Sequence, residues 1–159
     1  MAKVLVIYDS DTGNTEKMAH HVAEGAKKVG GTEVEVKKVD KINFQALQQY
    51  DGIIIGSPTY YGLMSGKIKT LLDQSEKIHG KLEGKVGAAF TSSGGVASGA
   101  ETTLLSIVQA MLIHGMIVQG RSEGAHYGAA AVGEPGAKEQ RICQELGNRA
   151  AELLKKLGR

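Results

Sequence analysis

Val4-Leu5-Val6-Ile7-Tyr8-Asp9-Ser10-Asp11-Thr12-Gly13-Asn14-Thr15 runs from a continuously apolar segment into a turn rich in hydroxyls, and then into helical periodicity. A short run that is apolar at every position reads as a strand covered on both faces. A strand that passes directly into a helix is the first half of a βαβ unit. The turn between them places backbone N–H donors at the positive end of a helix, beside the side chains of Ser10, Thr12, Asn14 and Thr15. That is the composition of a phosphate cradle. The loop has no Lys or Arg, whereas a nucleoside triphosphate site is expected to read G-x-x-x-x-G-K-[ST]. It therefore suits a single terminal phosphate. Two other readings of the same residues stay open at this level. Ser, Thr, Asn and Gly also make ordinary helix N-caps, and Asp9 and Asp11 form a D-x-D pair of the kind that serves Mg²⁺-dependent phosphoryl chemistry.

Outward from this stretch, strand-like runs at Lys3–Tyr8, Glu33–Val39, Gly52–Gly56, Val86–Thr91 and Met116–Gln119 alternate with helical ones. Helices are expected near Asn14–Val29, Ser65–Lys77, Gly99–His114 and Gly136–Leu157, with a short one around Phe44–Gln49. Alternation of this kind specifies an α/β fold of three layers, a doubly wound five-stranded parallel sheet. Val4–Ile7 and Ile53–Ile55 belong at its centre. Glu33-Val34-Glu35-Val36-Lys37 alternates charged and apolar residues, so it reads as an edge, and the order 2-1-3-4-5 follows. Met18, Val22, Ala26 and Val29, and likewise Ile142, Leu146, Leu153 and Leu157, form apolar stripes that face the core. In such sheets a ligand binds beyond the C-terminal strand ends where the strand order reverses, here between the first and third strands.

The 159 residues make one domain, 1–159, long enough to bury roughly 70% of the unfolded surface. Net charge is +2 with Lys and Glu interleaved, which argues against nucleic acid as a partner. No run reaches the ~20 apolar residues of a membrane span and no signal segment opens the chain, so a cytoplasmic protein is expected. Cys143 is the single cysteine and sits on a helical apolar stripe, the place of a small buried side chain rather than a reactive thiol. His20, His21 and His79 have no metal-ligand partners at suitable spacing and read as surface.

Two further loops should converge on the phosphate cradle. Gly56-Ser57-Pro58-Thr59-Tyr60-Tyr61-Gly62-Leu63-Met64-Ser65-Gly66 follows the third strand and carries two adjacent tyrosines, a platform for a flat ligand or a cover for the core. Thr91-Ser92-Ser93-Gly94-Gly95-Val96-Ala97-Ser98-Gly99-Ala100-Glu101 follows the fourth strand, with small residues that let a ring edge approach the backbone. Ser98 and Glu101 have the spacing of a capping box. Later in the chain, Gly124-Ala125-His126-Tyr127-Gly128-Ala129-Ala130-Ala131-Val132-Gly133 reads as a loop of small residues, long enough to suggest a role for His126 and Tyr127. A phosphate cradle, a tyrosine platform and a backbone-rich loop together describe FMN.

With those residues in view, the chain resembles the flavodoxin superfamily from end to end. Ser10-Asp11-Thr12-Gly13-Asn14-Thr15 is similar to that superfamily's T-x-T-G-N-T phosphate loop. Within the superfamily, Met1–Val6, Gly56–Lys67, Thr91–Gly94 and His114–Val118 resemble the NAD(P)H:quinone oxidoreductases called tryptophan-repressor-binding proteins. The resemblance implies FMN as cofactor. Its phosphate is expected on Ser10, Asp11, Thr12, Gly13, Asn14 and Thr15, and its ring beside Pro58, Thr59, Tyr60, Tyr61 and Gly62. Its polar edge is expected along Thr91, Ser92, Ser93, Gly94 and Gly95 as far as Gly99. His126 is a further candidate for the pocket, on the substrate side of the flavin or against a neighbouring subunit, the alternative being a solvated loop histidine. The resemblance further implies two-electron reduction of quinones by NADH or NADPH, in a homodimer or homotetramer. Two departures stand out: Ile113-His114-Gly115 replaces that family's His-His-Gly, and a segment that helps those chains assemble is missing.

The alternative within the superfamily is a one-electron carrier between redox proteins. Carriers are strongly acidic, and the absence of carboxylates between Thr91 and Ala100 with a positive net charge favours the reductase. A Mg²⁺-dependent phosphatase or phosphoacceptor built on Asp9 and Asp11 would need further acidic or basic residues at the later strand ends. Those read Gly56-Ser57-Pro58, Thr91-Ser92-Ser93 and Gly120.

Overall fold

A computed structural model describes residues 1–159. The chain follows β1 (Ala2–Tyr8), α1 (Asn14–Lys27), β2 (Thr32–Lys38), β3 (Gly52–Pro58), α2 (Gly66–Gln74), β4 (Val86–Ser93), α3 (Ala100–Ile113), β5 (Ile117–Val118), β6 (Ala129–Val132) and α4 (Ala137–Lys156). Short 3-10 turns occupy Val39–Lys41, Phe44–Gln49 and Ser75–Ile78. All strand pairs are parallel, in the expected order β2-β1-β3-β4-β5. The registers Tyr8↔Gly56 and Pro58↔Ser92 bring the ends of β1, β3 and β4 to one edge.

The pleat divides the apolar residues between two layers. Val4, Val6 and Ile54 face α1 and α4, where they pack with Met18, Val22, Cys143 and Leu154. Leu5, Ile7, Ile53 and Ile55 face α2 and α3, among Ile68, Leu71, Leu104, Ile107 and Met111. β1 and β3 are buried on both faces for this reason, while β2, with Glu33 and Glu35, forms a partly exposed edge.

α1 and α4 approach more closely than side chains normally allow. A Cβ on Gly25 would overlap the Gln144 carbonyl, and one on Gly147 would overlap the Val22 carbonyl, so the two backbones touch through glycine. Gly56 is required by a different neighbour, the ring of Phe90 on β4.

The fifth strand differs from expectation. Met116–Gln119 reduces to Ile117–Val118, paired with Val86 and Gly87 at the start of β4. The chain then leaves the sheet and returns as β6, which pairs with Phe90–Ser93 at the other end of β4. Part of the expected small-residue loop is thus a strand. Ala129-Ala130-Ala131 lacks the β-branched or alternating pattern that announces one. Gly128, at φ 145°, permits the return, because a Cβ there would overlap the Ala89 carbonyl. The capping box expected at Ser98 and Glu101 is not formed. Gly99, at φ 103°, is the N-cap of α3; Ser98 Oγ donates to the Gly95 carbonyl at 2.6 Å, and Glu101 is exposed. A tight turn on glycine has displaced side-chain capping.

Gly147→Ala should cost about 1–3 kcal/mol of stability, since a methyl group there must force two helix backbones apart; urea unfolding will measure it. Burial pushes the Cys143 thiol up to about 12, with Glu139 adding to it. The thiolate is the reactive form, so Cys143 should resist a disulfide reagent at pH 8 in folded protein and react once urea unfolds it.

Candidate functional site

The three expected loops converge. A cavity of about 220 Å³ is lined by Ser10, Asp11, Thr12, Asn14 and Thr15 after β1, by Pro58, Thr59 and Tyr60 after β3, and by Ser92, Ser93 and Gly94 from β4. Gly133, which follows β6, closes it. Gly133 was not among the expected residues, because its strand carries no sequence signal. Its N–H donates to the Ser93 carbonyl at 2.8 Å, and the neighbouring Glu134 pairs with Lys17 on α1.

The first turn of α1 decides between a phosphate cradle and an ordinary cap. Gly13 is the N-cap, in the left-handed region at φ 96°, and no side chain caps the helix. Ser10 Oγ accepts from the Gly13 N–H at 3.1 Å, and the Thr15 and Ser92 hydroxyls pair with each other at 2.7 Å across the cavity. The N–H groups of Thr12, Asn14 and Thr15 find no acceptor within the chain. Unmet donors at a helix start, ringed by hydroxyls and with no cation lining the cavity, are the donor set that an anion held by hydrogen bonds would need. Tyr8 braces this turn from below by donating to Glu16 at 2.7 Å. Burial, reinforced by that carboxylate, pushes the Tyr8 phenol up to about 12.

The other two loops are fastened together. Thr59 N–H donates to the Ser92 carbonyl at 2.8 Å, and the Thr59 and Thr91 hydroxyls lie 2.9 Å apart. Thr91, fully buried, donates to the Ser57 carbonyl at 2.6 Å and so positions the site without lining it. Gly62 and Gly99 are where the loops touch. A Cβ on Gly99 would overlap the Gly62 backbone, and Thr102 Oγ1 donates to the Gly62 carbonyl at 2.6 Å.

Tyr60 and Tyr61 part company. Tyr60 and Leu63 exchange backbone hydrogen bonds at 3.0 and 3.1 Å around Tyr61 (φ 50°) and Gly62 (φ 78°), a two-residue turn of the primed kind. Tyr60 thereby lines the cavity, while Tyr61 is fully exposed on the rim. Gly95 and His126 lie outside the lining; His126 Nδ1 sits 2.7 Å from the Arg121 carbonyl and its ring packs edge-on to Tyr127. Beside the cavity, and sharing Ser10, Asp11 and Tyr60 with it, a cleft of about 670 Å³ contains Asp9, Asp40 and Lys67. Burial raises the Tyr60 phenol, and Asp11 and Asp9 raise it further. The carboxylates absent from Thr91–Ala100 are supplied here by the first loop.

Residues 6–157 match the family described as Flavodoxin. The chain is 43% identical to a flavodoxin of Aquifex aeolicus, over 96% of this chain and 86% of that one. It is 39% identical to an NAD(P)H dehydrogenase (quinone) of Archaeoglobus fulgidus, over 99% and 100%. That second alignment spans 191 positions against 159 residues, so the relative carries residues this chain lacks. The structure superposes on a WrbA-like flavodoxin of Agrobacterium tumefaciens with TM-score 0.84 and 27% identity, covering 98% and 99% of the two chains. The chain belongs to the flavodoxin family. Membership implies a flavin mononucleotide, and a cavity with unmet N–H donors, hydroxyls and one phenol fits its phosphate and ring. No helix is long and apolar enough to cross a membrane.

The contact between the β3 and β4 loops can be tested without any ligand. Gly99→Ala should loosen the contact with Gly62 and speed amide exchange across both loops, while amides of β1 and β3 stay protected.

Proposed function

We propose that the protein holds FMN in this cavity and passes electrons between redox proteins across the rim formed by the β3 and β4 loops. The observation that carries this reading is the rim itself. Tyr61, Leu63 and Val96 are exposed at 106%, 54% and 88%, on loops that touch at Gly62 and Gly99 and border the Tyr60 side of the cavity. Apolar side chains concentrated beside a cofactor site suit docking by another protein. Bound FMN supplies the one- and two-electron chemistry. In this reading Ser10, Thr12, Asn14, Thr15 and the unmet N–H groups bind the phosphate, Thr59 and Tyr60 flank the ring, and Ser92, Ser93 and Gly94 meet its polar edge. Asp11, which lines the cavity with Tyr60, and Asp9, in the adjoining cleft, disfavour added negative charge on the ring and hold its potential low. That arrangement reverses the charge argument drawn from the β4 loop alone, and the flavodoxin relative at 43% identity supports the carrier.

A second reading, two-electron reduction of quinones by NADH or NADPH, draws support from the relative of that name matched along its whole length. The two readings separate cleanly. For a carrier, reductive titration of FMN-loaded protein should resolve two well-separated one-electron potentials, and neither nicotinamide should be oxidised at a useful rate. Rapid NADH or NADPH oxidation coupled to benzoquinone reduction would install the reductase in its place.

Thr15→Val removes a hydroxyl from the phosphate side of the cavity. It should weaken FMN binding by about 1.5–3 kcal/mol, roughly tenfold or more, with little effect on riboflavin, which has no phosphate. Equal losses for both flavins would place the phosphate elsewhere.

A further inference from the structure

The pleat of β1 carries Leu5 and Ile7 toward α2, and Asp9 is the next residue on that side. Its N–H still donates to the Gly56 carbonyl of β3 at 3.1 Å, so the alternation of the strand reaches it. Asp9 thereby lines the 670 Å³ cleft between the end of β2 and the start of α2, and it is absent from the lining of the flavin cavity. The residue is only 6% exposed, yet its carboxylate accepts no hydrogen bond from the chain. Both oxygens are nevertheless open to the cleft, because the one side-chain nitrogen or oxygen that is both sealed and unpartnered in this protein is His114 Nδ1. A carboxylate so largely withdrawn from water and left without a donor is unfavourable, and a ligand that brings donors would remove the deficit.

The neighbouring charges supply no partner. Lys67 is paired with Asp40 at 3.0 Å, and Lys38 pairs with neither Asp9 nor Asp11. Burial raises the Tyr60 phenol and the field of Asp11 and Asp9 raises it further; Asp40 raises the Lys67 ammonium and the same two carboxylates add to it. Their field therefore extends across the cleft from the Tyr60 wall to the Lys67 wall. A metal ion is a poor occupant, since no group of three His, Cys, Asp or Glu is placed to hold one. Val39, Ile42, Leu71 and Tyr60 give the cleft apolar walls. We propose that this cleft is a second ligand site, for a small organic cation, an amidinium or guanidinium on a flat apolar body, whose paired N–H groups meet the Asp9 carboxylate. A planar fork of two donors matches a carboxylate with both oxygens free, and the apolar walls take the body. The site does not need the flavin.

Benzamidine and benzamide share a ring and differ in charge, and they discriminate on the full-length protein with and without FMN. In amide NMR, benzamidine should perturb residues 9–11, residues 38–42 and the first turn of α2 in both states. Benzamide should bind about tenfold more weakly. Asp9→Asn, which keeps the shape and removes the charge, should erase that preference. Thr70→Trp, at an exposed position of α2 beside the cleft, fills the space and leaves Asp9 in place. It should abolish benzamidine binding even where the Asp9 variant does not fold. Equal binding of the two probes to the unmodified protein would overturn the proposal, and so would shifts confined to the loops of the flavin cavity. Mg²⁺ that alone shifts the same amides and excludes benzamidine would assign the carboxylates to a metal, and would overturn it as well.

Discussion

The start of α1 is the constraint on which the rest of the site depends. A helix leaves its first N–H groups without partners, and most chains meet them with a serine, threonine or aspartate at the N-cap. This chain puts Gly13 there in a left-handed turn and spends Ser10 on the Gly13 N–H. The donors of Thr12, Asn14 and Thr15 are left facing a cavity. Such an end is stable only where an anion or water can reach it, and the parallel registers of β1, β3 and β4 bring that end to the open edge of the sheet. Unmet donors facing an open cavity with no lysine in its lining are the consequence.

Around this fixed point the remaining loops are held by short contacts. Thr59, Thr91 and Ser92 tie the β3 loop to β4, and the glycine contact between Gly62 and Gly99 brings the far ends of both loops together. The rigid part of the site is thereby polar and buried, while its outer lip is apolar and exposed. The proposed carrier role needs that division: the cofactor must be held in one position, and electrons must leave through a surface that another protein can cover. In the proposed reading Asp9 and Asp11, beside Tyr60, act as a field near the ring, with no demand for side-chain chemistry.

Much of this was legible in the chain. The two-sided burial of Val4–Ile7 and Ile53–Ile55, the alternation in β2 and the helical stripes led directly to the observed strand order, because burial on one or two faces writes itself into local hydropathy. The convergence of the three loops was legible too, since strand ends in such a sheet have one place to meet. Ser98 and Glu101 misled, because S-x-x-E spacing competes with an adjacent glycine that can make the same turn without a side chain. β6 was invisible because three alanines carry no strand signature, and its place is set by the surface of β4 against which Gly128 lets it lie.

By itself the sequence determined the layered architecture, the central and edge strands, and the composition of the phosphate loop, all of which depend on neighbours a few residues apart. Tertiary structure decided which of those residues line the cavity. It split Tyr60 from Tyr61 through a turn with two positive φ angles, kept Thr91 behind the cavity, and set Asp9 and Asp11 beside Tyr60. These outcomes rest on contacts between segments distant in the chain, where the donor that one residue lacks, or the space that one glycine leaves, is defined only by what folding brings against it.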